Sequence, residues 1–211
     1  MRTNQWDQSI RTFIEQAGSS SPTPGGGSVA ALVAALGASM TSMVGNLSQG
    51  EKYAAYQEQI HETLERMNTL TTIYEQLLAQ DMDCFEQYVA ALKLPRNSES
   101  EKEARKQALE QATIQAIDVP IRLIEACLAG MRYAKGIADC CNPHVLSDLG
   151  ISTILLEAAA QSALLTAQIN LVSLTDSSLQ QKYSDTITQL MRDIDKFKQV
   201  TMITVKSRMG V

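Results

Sequence analysis

SPTPGGGSVAALVAALGASMTSMVGNLSQG, residues 21–50, joins a proline- and glycine-rich turn to a long segment that carries no charge before Glu51. Pro22 and Pro24 stiffen the approach, and Gly25, Gly26 and Gly27 permit backbone angles that a Cβ disfavours. Ser28 stands where a helix N-cap is expected. A helix starting there would aim its free N–H groups and the positive end of its dipole at the glycine loop, an environment suited to a carboxylate, phosphate or carbonyl oxygen. The plainer reading is a tight turn into a buried helix. The loop matches neither G-x-x-x-x-G-K-[ST] nor a G-x-G-x-x-G following a strand, so nucleotide binding is not supported.

The helix expected from Ser28 to about Ser48 is built of small residues. Ala31, Ala34, Ala35, Ala38 and Ser42 let neighbouring backbones approach, which places it at the centre of a bundle or at a subunit interface. Val29 to Leu47 is long enough to cross a membrane. Its Ala, Gly, Ser and Thr content, without basic flanks, favours instead a helix buried on all sides in a soluble bundle, with no membrane partner.

Around it the pattern is helical throughout. Asn4 to Ala17 sets Trp6, Ile10, Phe13 and Ile14 on one face and stops at Gly18. Glu51 to Leu94 contains neither Gly nor Pro and predicts one very long helix, or two with a subtle break. Ser100-x-x-Glu103 reads as a capping box for the next helix, which Pro120 should kink. Ser147 and Asp148 mark another start, and from Leu149 to Leu174 the only charge is Glu157. Ser178 to about Arg208 is a last amphipathic helix. Nothing reads as a strand. The expectation is an all-α, single-domain bundle of about six helices over residues 1–211, with long amphipathic helices around a buried small-residue one. Two nearly uncharged helices in a domain of this size also predict a homodimer that covers apolar surface.

Composition narrows the function classes. The net charge is −5 and the 18 Lys and Arg residues are scattered, which argues against nucleic acid. The two histidines, His61 and His144, fall in no metal-binding pattern, so no metal is expected. Cys84, Cys127, Cys140 and Cys141 lack C-x-x-C spacing and no signal peptide is evident, so reduced thiols in a cytoplasmic protein are expected.

The informative residues are polar ones on apolar faces. Helical spacing places Asp81 among Tyr74, Leu77, Leu78, Phe85 and Tyr88. An unpaired carboxyl there would resist ionisation, a state suited to proton exchange near neutral pH. Its structural alternative is a buried ion pair or a cap on another helix. Asp83, about 200° round the helix, is expected to be more exposed. Glu157 poses the same question as Asp81, Asn170 needs partners for its amide, Lys52 is the nearest basic candidate, and Asp148 suits a helix N-terminus.

Five stretches occur in order: P-T-P-G-G-G-S-V-A-A-L (22–32), M-V-G-N-L-S-x-G (43–50), D-M-D-C-F-E-Q-Y-V-A-A-L-K-L-P (81–95), S-D-L-G (147–150) and I-N-L (169–171). Together they resemble the formiminotetrahydrofolate cyclodeaminase and methenyltetrahydrofolate cyclohydrolase family over nearly the whole chain. Lys52 matches the family only across a gap, and Thr166 stands where an asparagine is common. The resemblance implies an all-α, dimer-forming domain that takes a tetrahydrofolate derivative as substrate and has no tightly bound cofactor. It implies that Asp81 is the proton donor and acceptor, assisted by Lys52. The loop Pro24, Gly25, Gly26, Gly27 and Ser28 would contact the folate, with Asp148, Glu157 and Asn170 as further polar positions. The implied reaction is cyclisation of 5-formimidoyltetrahydrofolate to 5,10-methenyltetrahydrofolate with loss of ammonia. The alternatives are cyclohydrolysis of the methenyl compound to 10-formyltetrahydrofolate and a non-catalytic folate-binding subunit.

Overall fold

The computed structural model describes residues 5–211. Six α-helices follow one another: α1 (Ile10–Ala17), α2 (Gly26–Asn46), α3 (Gln57–Leu92), α4 (Glu99–Ile137), α5 (Leu146–Leu171) and α6 (Ser177–Met209). Short 3-10 turns at Gln5–Asp7, Glu51–Tyr56 and Pro143–Val145 precede α1, α3 and α5. No strand occurs among the described residues, so the all-α expectation holds. The expected helix start at Asn4 lies outside the described residues.

Helix ends follow local chemistry. Ser9 caps α1 by accepting from the Thr12 N–H, and Gly18 closes it. The capping box of α4 is Ser98 with Glu101, two residues ahead of the expected Ser100 and Glu103. The run SESEKE offers the S-x-x-E spacing twice, and the earlier one gains a further bond, because Glu101 Oε2 also accepts from the Asn97 N–H at 2.7 Å. Asp176 caps α6 by accepting from the N–H groups of Ser178 and Leu179. The turn at Pro143–Val145 feeds into α5 at Leu146, so Ser147 and Asp148 lie inside the first turn and do not cap it.

Helices α2, α3, α4 and α5 close a ring in which each packs on the next, and α6 lies along α4 and α5. Small side chains bring α2 and α5 together. Ala30, Ala31, Ala34, Ala35 and Ala38 face Leu156, Ala159, Ala160 and Ala163 across one core. The few polar groups inside this contact satisfy one another: Ser152 Oγ donates to the Gly37 carbonyl at 2.7 Å and lies 2.6 Å from Thr41 Oγ1. Tyr74, fully buried, donates its hydroxyl to the Ala126 carbonyl and ties α3 to α4. Buried hydroxyls with partners avoid the cost of unsatisfied polar atoms.

One expectation needs correction. α2 is not buried on all sides: Val29, Leu36 and Met43 are exposed, as are Leu47 just after it and Ile151, Ile154, Leu165 and Ile169 on α5. In a ring of four helices each has one inward face, so a helix without charges still turns an apolar face outward. By length and composition both α2 and the Pro143–Leu171 segment could cross a membrane.

The α2–α5 contact is tight enough to test. A Cβ on Gly37 would lie 2.9 Å from Leu156 Cγ, inside van der Waals contact and against a side chain with no room to retreat. Gly37→Ala should therefore lose about 1–2 kcal/mol despite its better helix propensity. Urea unfolding should show a lower midpoint with an unchanged slope.

Candidate active site

The site is built where α3 meets the start of α2. Gly25 is the N-cap residue of α2 and has no side chain to offer its N–H groups. The acceptor comes from another helix: Ser28 Oγ donates to Asp81 Oδ2 at 2.7 Å, 53 residues apart, and the Ser28 backbone N–H bonds the same carboxyl. Ser28 is thus inside the first turn and not the N-cap. Gly27 makes room for the contact, because a Cβ there would fall within the Asp81 carboxyl group. Asp81 is both the misplaced carboxyl and the cap on another segment that its position in the sequence allowed.

Burial pushes the Asp81 carboxyl above the usual carboxylate range, while the two hydrogen bonds from Ser28 pull the other way without cancelling it. The carboxyl opens on a cavity of about 460 Å³. Gly25, Gly26 and Gly27 form one wall, Phe85 and Tyr88 of α3 another, and Leu165 and Ile169 of α5 the lip. Leu165 and Ile169 are apolar yet 68% and 70% exposed. An aromatic and aliphatic cleft with a few convergent polar groups is the usual form of a small-molecule site.

Asn170 completes it through a defect in α4. Pro120 has no N–H, so the Ala116 carbonyl loses its helical partner. Asn170 Nδ2 donates to that carbonyl at 3.0 Å and to the Thr166 carbonyl at 2.8 Å. With the amide nitrogen held by two backbone groups, Oδ1 is the atom left to accept from a ligand. α4 runs unbroken through Pro120 from Glu99 to Ile137.

The other expected residues do not join this site. α2 is 21 residues long, about 30 Å at 1.5 Å per residue. Lys52 follows its far end, exposed, with Nζ 5.6 Å from the centroid of the Tyr53 ring. Lys52 therefore neither orients Asp81 nor relays its protons within one chain. Asp148 opens α5, and because Thr41 meets Ser152 while Gly25, Gly26 and Gly27 share a cavity with Leu165 and Ile169, the two helices run antiparallel, so Asp148 also belongs to that far end. Glu157, midway along α5, pairs with Lys198 of α6 at 3.2 Å. Pro24 is buried behind the loop, after a cis Thr23–Pro24 peptide, and is not among the cavity walls.

Sequence reasoning missed Phe85, Tyr88, Thr166 and Ile169 as wall residues. Phe85 and Tyr88 share a face with Asp81 at spacings of four and seven, a signal legible as a wall as well as a core. Asp83 is exposed, as expected, and borders a larger cavity of about 580 Å³ on the other side of the Cys84–Val119 seam. There Tyr183 donates to Asp118 at 2.7 Å and Arg122 to Gln80 at 2.8 Å, so its polar groups bond one another. Cys84 lies between the cavities. Burial and the carboxylates of Asp81, Asp83 and Asp118 push its thiol up to about 11, which leaves it a poor nucleophile. No group of three metal-ligating side chains occurs among the described residues.

Known proteins resemble this chain over most of its length. The profile of the formiminotransferase-cyclodeaminase family matches residues 9–189. Methenyltetrahydrofolate cyclohydrolase of Methylorubrum extorquens is 31% identical over 205 residues, covering 97% of this chain and 99% of that protein. Formimidoyltransferase-cyclodeaminase of Rattus norvegicus is 33% identical over 191 residues, 89% of this chain, which spans 35% of the rat protein. Among solved structures, formiminotetrahydrofolate cyclodeaminase of Thermotoga maritima superposes with a TM-score of 0.85 at 24% identity over 97% of each chain, a likeness of fold.

The raised Asp81 pKa has a stability consequence. A carboxyl whose folded pKa lies above its unfolded value favours the folded state at low pH and loses that contribution as pH rises through the folded pKa. Asp81→Asn removes the ionisation. Relative to the unaltered protein, its melting temperature should rise as pH increases above about 4. A constant or falling difference would show that the carboxylate mainly stabilises the fold.

Proposed function

The chain belongs to the formiminotransferase-cyclodeaminase family, and from that premise we propose that it acts on the one-carbon bridge between N5 and N10 of a reduced folate. One observation carries the reading: a single carboxyl with a raised pKa, Asp81, held in the wall of an apolar cleft by Ser28 beside the glycine loop. The pterin and benzoyl rings suit the walls of Phe85, Tyr88 and Ile169. The glycine loop and Asn170 Oδ1 suit the polar edge of the pterin.

The first reaction is hydrolysis of 5,10-methenyltetrahydrofolate, favoured by the end-to-end match with the Methylorubrum cyclohydrolase. Water attacks the methenyl carbon while ionised Asp81 takes one of its protons. That proton passes to N5 as the carbon–N5 bond breaks, and the remaining hydroxyl proton leaves to solvent, giving 10-formyltetrahydrofolate. The second reaction is cyclodeamination, favoured by the 33% identity to the rat cyclodeaminase. N10 attacks the amidinium form of the formimidoyl group, Asp81 carries the N10 proton to the amine, and ammonia leaves with the methenyl cation. Both need one group that takes and returns a proton near neutral pH, and an ionised carboxylate also stabilises the cation. Neither needs a resident cofactor.

The enzyme is a homodimer in this reading, with a second copy covering the exposed stripe of Val29, Leu36 and Met43 on α2, Leu47 just after it and the adjoining Ile151 and Ile154. The same partner makes a membrane unnecessary for α2 and α5. The four cysteines are free and buried, which supports a cytoplasmic location.

Assays that follow the methenyl chromophore in both directions separate the two reactions. Asp81→Asn should lower kcat/KM at least ~100-fold while folate binding persists. Retention of most turnover would remove Asp81 from the chemistry. Ser28→Ala removes a bond that favours the carboxylate, so the acid limb of the kcat/KM profile should move to higher pH. Light scattering should give twice the chain mass, and Leu36→Glu with Met43→Glu should halve it.

A further inference from the structure

A side-chain amide can in general present either its oxygen or its nitrogen to a ligand. Asn170 has that choice removed. Turned end for end, it would set Oδ1 against the carbonyl oxygens of Ala116 and Thr166, three acceptors with no proton among them. Both N–H groups of Nδ2 are used by these two carbonyls, and Oδ1 accepts no bond among the described residues. Asn170 borders the Asp81 cavity beside Ala116, Val119 and Pro120.

The two carbonyls differ in what they require. Thr166 stands four residues before Asn170 in α5, so its carbonyl already serves the helix ladder. The Ala116 carbonyl has no such partner, because the residue four ahead is Pro120. Asn170 is therefore its partner from another helix, 54 residues away. Any residue with an N–H at position 120 would close the α4 ladder and remove the demand that holds the amide in one orientation. Pro120 is itself buried, with no exposed role to account for it.

We propose that Pro120 is a positioning residue for substrate: by withholding its N–H it fixes Asn170 with Oδ1 toward the cavity, and the site then selects a ligand edge that carries N–H groups. The inference rests on the folate reading given above, in which the lactam N–H and 2-amino group of a reduced pterin form such an edge. A ligand offering only acceptors there would leave Oδ1 unpaired and meet it acceptor to acceptor.

Two replacements separate the missing N–H from the bulk of the ring. Pro120→Val and Pro120→Ala both supply an N–H, and valine keeps more of the cavity wall. Each should bind 5-formyltetrahydrofolate at least roughly fivefold more weakly than the unaltered protein. In turnover the loss should fall on KM more than on kcat, since Asp81 and Ser28 are untouched. Asn170→Ala should weaken binding in the unaltered protein and add little further in Pro120→Val. It should also lower the urea midpoint in the unaltered protein, where it orphans the Ala116 carbonyl, and lower it much less in Pro120→Val, where the helix N–H takes over. Tight binding by Pro120→Val with weak binding by Pro120→Ala would assign the proline to wall contact and overturn the proposal. So would equal losses from Asn170→Ala in both backgrounds. Failure of the unaltered protein to bind the folate would overturn the folate reading and the substrate role together, even with the midpoint coupling intact.

Discussion

The Asp81 contact with the first turn of α2 is the interaction on which the site depends. A helix that starts at three glycines has free N–H groups and no side chain of its own to satisfy them. A carboxyl from α3 does so, and in exchange it is drawn away from water far enough to raise its pKa. The same contact therefore both closes the start of α2 and fixes the state of the carboxyl that faces the cavity. Gly27 is required by distance, because no Cβ fits beside the carboxyl, and Ser28 sets how far the pKa rises.

The rest of the bundle holds that contact in place. α2 and α5 approach closely because their facing residues are alanine, glycine and serine, and the close approach brings Leu165, Ile169 and Asn170 to the mouth of the glycine loop. Pro120 contributes by what it lacks. Its missing N–H frees the Ala116 carbonyl, and Asn170 is oriented by filling that gap. A proline that would ordinarily weaken a helix here positions a polar side chain at the cavity.

Polar residues in apolar runs proved to be of two kinds. Asp81 and Asn170 converge on the cavity, whereas Glu157 is held by Lys198 and joins α5 to α6. The difference is not visible in local sequence, since each is a lone polar group among apolar neighbours. Only the identity of the facing helix separates a ligand-directed group from a structural one. Lys52 illustrates the same limit. It stands close in sequence to the central helix, but that helix is long enough to carry it to the opposite end of the bundle from Asp81.

Periodicity and punctuation alone determined the all-α class, the six helices and the small-residue character of α2, because these follow from local backbone preferences and the 3.6-residue repeat. The misplacement of Asp81 on an apolar face was legible for the same reason, as was the glycine loop as a place of close approach. Which S-x-x-E box starts α4, and whether α2 is enclosed or exposed on one side, depended on neighbours that the sequence does not identify. Tertiary structure alone decided that Asp81 caps α2, that Asn170 answers Pro120 and that Lys52 and Asp148 lie elsewhere. Those pairings join residues about fifty positions apart or more, and their partners are set by how helices pack, not by any pattern within a single helix.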